Sequence, residues 1–463
     1  MRTVSIVGAG AAGTITAARL LEFSGPDVEV ALIDPSDDPG PGIPYRTRNP
    51  DHLLNVVAAR MSAIESDPDH FLRWLRETDP SIEPGAYMSR GVYGEYLREL
   101  LRRTDDLRPA GSRGLRVIQA EVEAIERAGD SLLLGLKGAP PIRCDEVVLA
   151  TGALPARDPV PVSRLVRERN QYISDVWKDE WLSEAQEDEV VMVMGTGLTM
   201  VDATLSLCRS RKGPRVIAVS RNGLFPKAHR DGFLRIETPE LPNEGEISLD
   251  DAQALFLGLE TEAIAAGGDW RDAMDAMRRI TPDIWRRMPL PDRRRFIQDF
   301  RRTWEIHRFR MAPEVARRFR SLLEKGRLEI LGGNILRIES SGDLVSVELE
   351  TEGSARTLEV DRVVNCTGAG REITGETSPL LASMIEKDLV REDVLRLGID
   401  VTPDGRAIEG SGQISSNISV VGPLRRGVEW EAIGITEIRI QAARVAERLG
   451  GEAETEELDR QRT

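Results

Sequence analysis

Two places in this chain, 187 residues apart, put closely spaced glycines between a short apolar run and a helical one. That repeat constrains the fold more than any other feature. The first is Val4–Val7, then Gly8-Ala9-Gly10-Ala11-Ala12-Gly13, then a helix-period stretch to about Phe23. A second apolar run, Val28–Ile33, ends on Asp34. Strand, glycine turn, helix, strand and terminal acid make one βαβ unit. The same order returns at Val190–Met194, Gly195-Thr196-Gly197-Leu198-Thr199-Met200, a helix over 198–211 and a strand Val216–Val219. The pattern predicts an α/β chain with two Rossmann-like dinucleotide-binding domains. Residues 232–327 read as a helical insertion in or after the second, with helices from Ser248 to 266, over 270–280 and over 291–323. The expected boundaries are 1–185, 186–327 and 328–463, the last segment returning to complete the first domain.

Each glycine of the first turn has a physical task. The first permits the tight turn, the second lets backbone approach a pyrophosphate, and the third lets helix pack on strand. The pyrophosphate then rests on free helix N–H groups at the positive end of the dipole. Asp34, 21 residues after Gly13, stands where a carboxylate takes ribose hydroxyls. The second turn departs from this. Met200 replaces the third glycine, and the offset that leads from Gly8 to Asp34 leads from Gly195 to Arg221, after Ser220. An Arg there neutralises a 2′-phosphate that an Asp would repel, which favours NADPH, with NADH second.

Composition removes several alternatives. Net charge is −15 over 463 residues, against general nucleic-acid binding. The longest uncharged run, Thr3–Ala18, is too short and too polar to span a bilayer, and no secretory pattern precedes it, so a cytoplasmic location without membrane attachment is expected. Cys144, Cys208 and Cys366 lie far apart with no C-x-x-C, and the four His show no metal-ligand spacing, so neither a dithiol centre nor a metal site is expected. Residues 271–327 carry 17 basic and 8 acidic side chains. That reads either as solvated, paired helix faces or as a basic lobe facing an anionic ligand.

Further motifs carry a resemblance. Thr151-Gly152 follows Val147–Ala150, Thr367-Gly368 follows Val363–Cys366, and Gly422-Pro423 follows Ile418–Val421. With these the chain resembles the two-dinucleotide-binding flavoproteins, which hold FAD at the N-terminal turn and NAD(P)H at the central one. Over Gly40–Tyr45, His52–Val56, Met61-Ser62, Asp67–Phe71, Gly195–Asp202, Ser220–Pro226 and Trp304–Arg310 it is similar to the bacterial FAD-NAD(P)-binding proteins. Asn222 stands where that family often has a second Arg. The resemblance implies FAD contacts at Gly8, Gly10, Ala12, Gly13, Asp34, Ser36, Tyr45, Leu54, Asn55, Met61, Val122, Thr151, Gly152, Gly422 and Trp430. It implies NADPH contacts at Gly195, Thr196, Gly197, Leu198, Thr199, Ser220, Arg221 and His229. A looser register with the ornithine and lysine N-hydroxylases puts Arg60 at a substrate-binding position, and Asn55 and Arg60 are the catalytic candidates.

The implied activity is an FAD-dependent, NADPH-consuming monooxygenase that hydroxylates a small anionic or amino-acid-like substrate through a flavin C4a-(hydro)peroxide, with O2 as co-substrate. An NAD(P)H-dependent flavin reductase or dehydrogenase serving another acceptor is the alternative, and a non-catalytic flavin-binding protein ranks third. Substrate identity and oligomeric state stay open.

Overall fold

The computed structural model describes residues 2–460 apart from 179, 184, 185, 211, 212, 231, 233, 235, 352 and 371, and side chains to residue 450. Two parallel sheets organise it. The first runs in the order Arg406–Ile408, Ile414–Val420, Glu146–Leu149, Arg2–Val7, Val28–Asp34, Leu115–Gln119, antiparallel only at the 406–408 edge. The second runs Leu328–Gly332, Arg215–Ser220, Val190–Met194, Arg362–Asn365, Tyr172–Ile173, parallel throughout. Strands buried on both faces read as unbroken apolar runs, as in Val191–Met194, where every side chain is buried. A three-stranded antiparallel sheet adjoins each parallel one, at residues 122–144 and 334–360. The two parallel sheets with their glycine turns are the two Rossmann-like units.

The pairing corrects the expected boundaries. Leu328 pairs with Val216 and Val363 with Met192, so 328–332 and 362–365 build the second sheet, with its adjoining antiparallel sheet between them, as does the short strand 172–173. The chain rejoins the first sheet only at 406–420, where Ile418 pairs with Val147. An apolar run announces a strand but says nothing of its partner, which is why a boundary at 328 looked natural.

The helical insertion is a lobe of several pieces. Leu249–Ala265 begins at Ser248, whose side chain and that of Asp251 cap each other's backbone N–H groups. Trp270–Arg287 runs past 280 with Pro282 inside it. The stretch read as one helix from 291 is broken into Leu290–Arg295, a π-helical turn Phe296–Phe300, Arg301–Arg308 and Pro313–Glu324. Between the last two, Met311 bridges to Ala228 and ties the lobe to the second unit. The final helix, Ile435–Arg460, packs along Ala11–Phe23 of the first unit. Among the described residues no helix is long and apolar enough to cross a membrane.

Candidate functional site

The first glycine turn is a cradle that side chains would fill. Gly8 has φ +102°, and a Cβ there would lie 2.4 Å from the Ala150 carbonyl oxygen. At Gly13 a Cβ would lie 1.8 Å from the Gly8 carbonyl oxygen, so helix and turn touch backbone to backbone. Gly10 caps the helix with no side-chain bond to its first N–H groups and no acid in the first turn. Those donors therefore face an open position suited to a phosphate. Gly422, at φ +91°, brings the end of the Ile414–Val420 strand against Ala12, and Gly152 (φ +78°) opens the turn after Leu149 beside Thr151. Asp34 is oriented by two backbone donors, Ala9 N–H at 2.7 Å and Ser36 N–H at 2.8 Å, which leaves lone pairs for a ribose. These residues fit a dinucleotide.

The second turn repeats the geometry around different chemistry. Gly195 has φ +94°, and a Cβ there would lie 2.5 Å from the Cys366 carbonyl oxygen. Gly197 faces open space and starts the helix Leu198–Leu207, again without a side-chain cap. Met200 is fully buried where the first unit has glycine. At the strand end Ser220 Oγ lies 2.8 Å from Thr196 Oγ1. Arg302, from the lobe, donates to both the carbonyl and the hydroxyl of Thr196 at 3.0 Å. Arg221 is exposed. Burial, then the charges of Arg426 and Arg221, hold the Arg301 guanidinium below its usual range against the pull of Glu305. Arg301 and Arg221 thus form one basic end to this turn. Thr199 lies apart from them, in a cleft of about 230 Å³ shared with His52 and Asp202. There His52 and Arg90 of the first unit bond Ser206 and Asp202 of the second.

Three candidates converge where the two units meet the lobe. The His229 Nε2 lies 3.0 Å from the Asn55 carbonyl oxygen, so Nε2 carries the proton and Nδ1 is left as an acceptor. Burial, then Arg310, lowers the His229 pKa to about 4, so the ring is neutral at physiological pH. Arg60 Nη1 lies 3.4 Å from Asp275, which also pairs with Arg310. Against its burial, Arg310 and Arg60 hold the Asp275 carboxyl below the ordinary carboxylate range. Around this centre lie Arg278 paired with Glu437 (2.7 Å) and Arg308 with Glu431 (2.9 Å), both nearly closed to solvent. Asp275, Arg278, Glu431 and Glu437 went unnoticed in the sequence, as did Arg301 and Arg302, whereas Arg308 stands in the Trp304–Arg310 motif. Their signal is tertiary, since partners lie far apart along the chain.

Other candidates pack into the core or against it. Leu54 and Met61 are buried in the first unit's core, and Val122 is buried at the start of its strand. The Tyr45 ring lies 4.9 Å from that of Tyr93, and burial pushes its phenol up to about 12. Trp430, expected at the flavin, packs among the lobe's aromatic rings. Its ring lies 4.9 Å from Trp285 and 5.1 Å from Phe296 in the lobe, 4% exposed. The basic lobe is also corrected. Arg271, Arg278, Arg295, Arg308 and Arg318 pair with Asp269, Glu437, Asp250, Glu431 and Asp51, all outside the counted window. Counting along the chain saw the cations without these partners.

Residues 5–154 match the family model described as FAD-NAD(P)-binding. No curated protein matches the sequence. Among solved structures, the fold is similar to L-lysine 6-monooxygenase from Pseudomonas syringae at TM-score 0.67 and 18% identity, covering 97% of this chain and 99% of that one. It is similar to ornithine hydroxylase from Pseudomonas aeruginosa at TM-score 0.66 and 14% identity, with 97% and 99% covered. It is also similar to a bacillithiol disulfide reductase from Bacillus cereus at TM-score 0.56 and 16% identity, again over 97% and 99%. At such identities the likeness is one of fold.

Proposed function

We propose that this chain, an FAD- and NAD(P)-binding flavoprotein oxidoreductase, is a monooxygenase that draws electrons from NADPH and transfers oxygen from O2 to a small anionic or amino-acid-like substrate. The observation that carries this reading is the half-buried polar junction of Asn55, Arg60 and His229, to which the lobe contributes Asp275 and Arg310. Flavin bound at the first turn would supply hydride acceptance and reaction with O2, chemistry that needs water kept away. The chain's own contribution is position. Neutral His229 fixes the Asn55 backbone, while the Asn55 carboxamide has no hydrogen-bond partner among the described residues and is free to meet a substrate. Arg60 and Arg310 both pair with Asp275, which brings two guanidiniums, groups whose planar fork suits a carboxylate, to one point of the junction. Cofactor choice follows from Arg221 and Arg301, which favour a 2′-phosphate. The resemblance to N-hydroxylases in overall fold, lobe included, supports the class.

The test is turnover under 18O2 with NADPH and a panel of amines, amino acids and small acids. A labelled product formed in step with NADPH consumption supports the monooxygenase. NADPH consumption that yields only hydrogen peroxide, or that needs an added electron acceptor, supports a reductase instead. No flavin reduction at all points to a protein without turnover.

A further inference from the structure

The lobe holds a cavity of about 570 Å³, within the range of small-molecule sites. Its walls are the helices Leu249–Ala265 and Trp270–Arg287 and the stretch 296–307, with Trp430 closing one side. Four of the chain's seven Trp line it, at 270, 285, 304 and 430, with Phe256, Phe296 and Phe300. One wall is firm, because Trp285, Phe296 and Trp430 pack on one another at ring separations of 4.9 to 5.6 Å. The helix that carries Trp285 also lines the cavity with the unbranched, adaptable side chains of Met274 and Met277. The π-helical turn Phe296–Phe300 lies in the wall, and such turns occur mostly at functional sites.

The charge pattern is the more telling feature. Residues 271–327 are the most Arg-rich stretch of the chain, yet no Arg or Lys lines the cavity. Its one charged lining residue is Glu260, and Gln253, Thr281, Thr303 and His307 are the other polar ones apart from the indoles. Arg302 of the same helix points to the second glycine turn, while Thr303, Trp304 and His307 face the cavity. The cavity and the nucleotide turn therefore lie on different sides of that helix.

We infer that this cavity is a binding site for a flat aromatic molecule without an anionic group. Aromatic walls reward such a ligand by area and by ring stacking. A carboxylate, sulfonate or phosphate would be desolvated there with Glu260 to repel it and no cation in the lining, since the guanidiniums of Arg271, Arg293, Arg295 and Arg426 are already engaged over the rings of Trp270, Trp285, Phe300 and Trp430. The inference goes beyond the proposed reaction and does not depend on it. The junction is lined by the guanidiniums of Arg60 and Arg310, whereas no Arg or Lys lines the cavity.

A matched pair of fluorescent probes tests it on the purified flavin-loaded protein: N-phenyl-1-naphthylamine and its sulfonate, 1-anilinonaphthalene-8-sulfonate. The uncharged probe should bind saturably, one per chain, with energy transfer from tryptophan. It should bind about tenfold or more tighter than the sulfonate. Ala252→Phe, which fills the cavity from the Leu249–Ala265 helix, should weaken it by about tenfold or more. Phe256→Ser, at a half-buried wall position that is safer for folding, should weaken it several-fold while flavin content stays normal. The inference is overturned by equal or tighter binding of the sulfonate, by unsaturable binding, or by affinities that neither variant changes. It is also overturned if the wild type dimerises through this face, so that Leu257→Asp at the exposed rim yields monomer and opens the cavity to probe for the first time.

Discussion

The two glycine turns agree where the backbone is crowded and differ where a ligand would be met. Gly8 and Gly195 have φ of +102° and +94°, and a Cβ at either would collide with the carbonyl at the end of the neighbouring strand, Ala150 or Cys366. That contact belongs to the fold, and it is kept in both. The third position is different. A Cβ at Gly13 would lie 1.8 Å from the Gly8 oxygen, but Met200 is accommodated with its sulfur 3.5 Å from Thr204 Oγ1. The second helix therefore stands off by a side chain. The strand ends diverge most, with Asp34 held by two backbone donors in one unit and the Ser220–Thr196–Arg302 group with Arg221 and Arg301 in the other. Shared geometry carries the diphosphate; unshared chemistry at the ribose selects the nucleotide.

The largest effect should come from forcing the second pattern on the first turn. Gly13→Met should cost about 4 kcal/mol or more and yield protein without flavin, seen in the melting temperature and the bound-flavin absorbance. A stable yellow Gly13→Met protein would break the contrast. The reciprocal truncation, Met200→Ala, should cost about 3 kcal/mol by leaving a cavity, with flavin content normal because the damage is confined to the second unit. Loss of flavin from Met200→Ala would show that the two units are not separable in this way.

His229, on the segment after the second turn, sharpens the contrast through pH. Its folded pKa of about 4 lies below the ordinary 6.5, so the unfolded chain binds the extra proton between those values. The stability it contributes is complete above pH 6.5 and lost as pH falls toward 4, on the order of 3 kcal/mol in all. His229→Asn should flatten that part of the stability curve, and denaturant melts at pH 4.5 and 7.5 on both proteins check it. The smallest effect is on cofactor choice. Arg221→Ala should weaken NADPH by about 2 kcal/mol and leave NADH nearly unchanged, because only the 2′-phosphate loses a partner. Equal losses for both nucleotides would place Arg221 outside the ribose end.

The turns, their strands and the cap at Ser248 were legible in the sequence because each is set by residues within a few positions of one another. Pairing was not, which is why 328–365 was assigned to the wrong sheet: Val363 meets Met192 across 171 positions that no local pattern records. The junction was legible in part. Asn55, Arg60 and His229 stood in recognisable motifs, but Asp275, Glu431 and Glu437 sit in ordinary helical or loop contexts and gain meaning only from the guanidiniums folded against them. Trp430 was singled out by the resemblance alone, and its packing on Trp285 and Phe296 of the lobe is a tertiary contact that no local pattern records.

The most direct test of the division of labour between the two turns is anaerobic mixing of the flavin-loaded protein with NADPH or with NADH, following the flavin absorbance. The account predicts rapid bleaching by NADPH, much slower bleaching by NADH, and flavin that stays bound throughout. No bleaching by either nucleotide, or a clear preference for NADH, would contradict it.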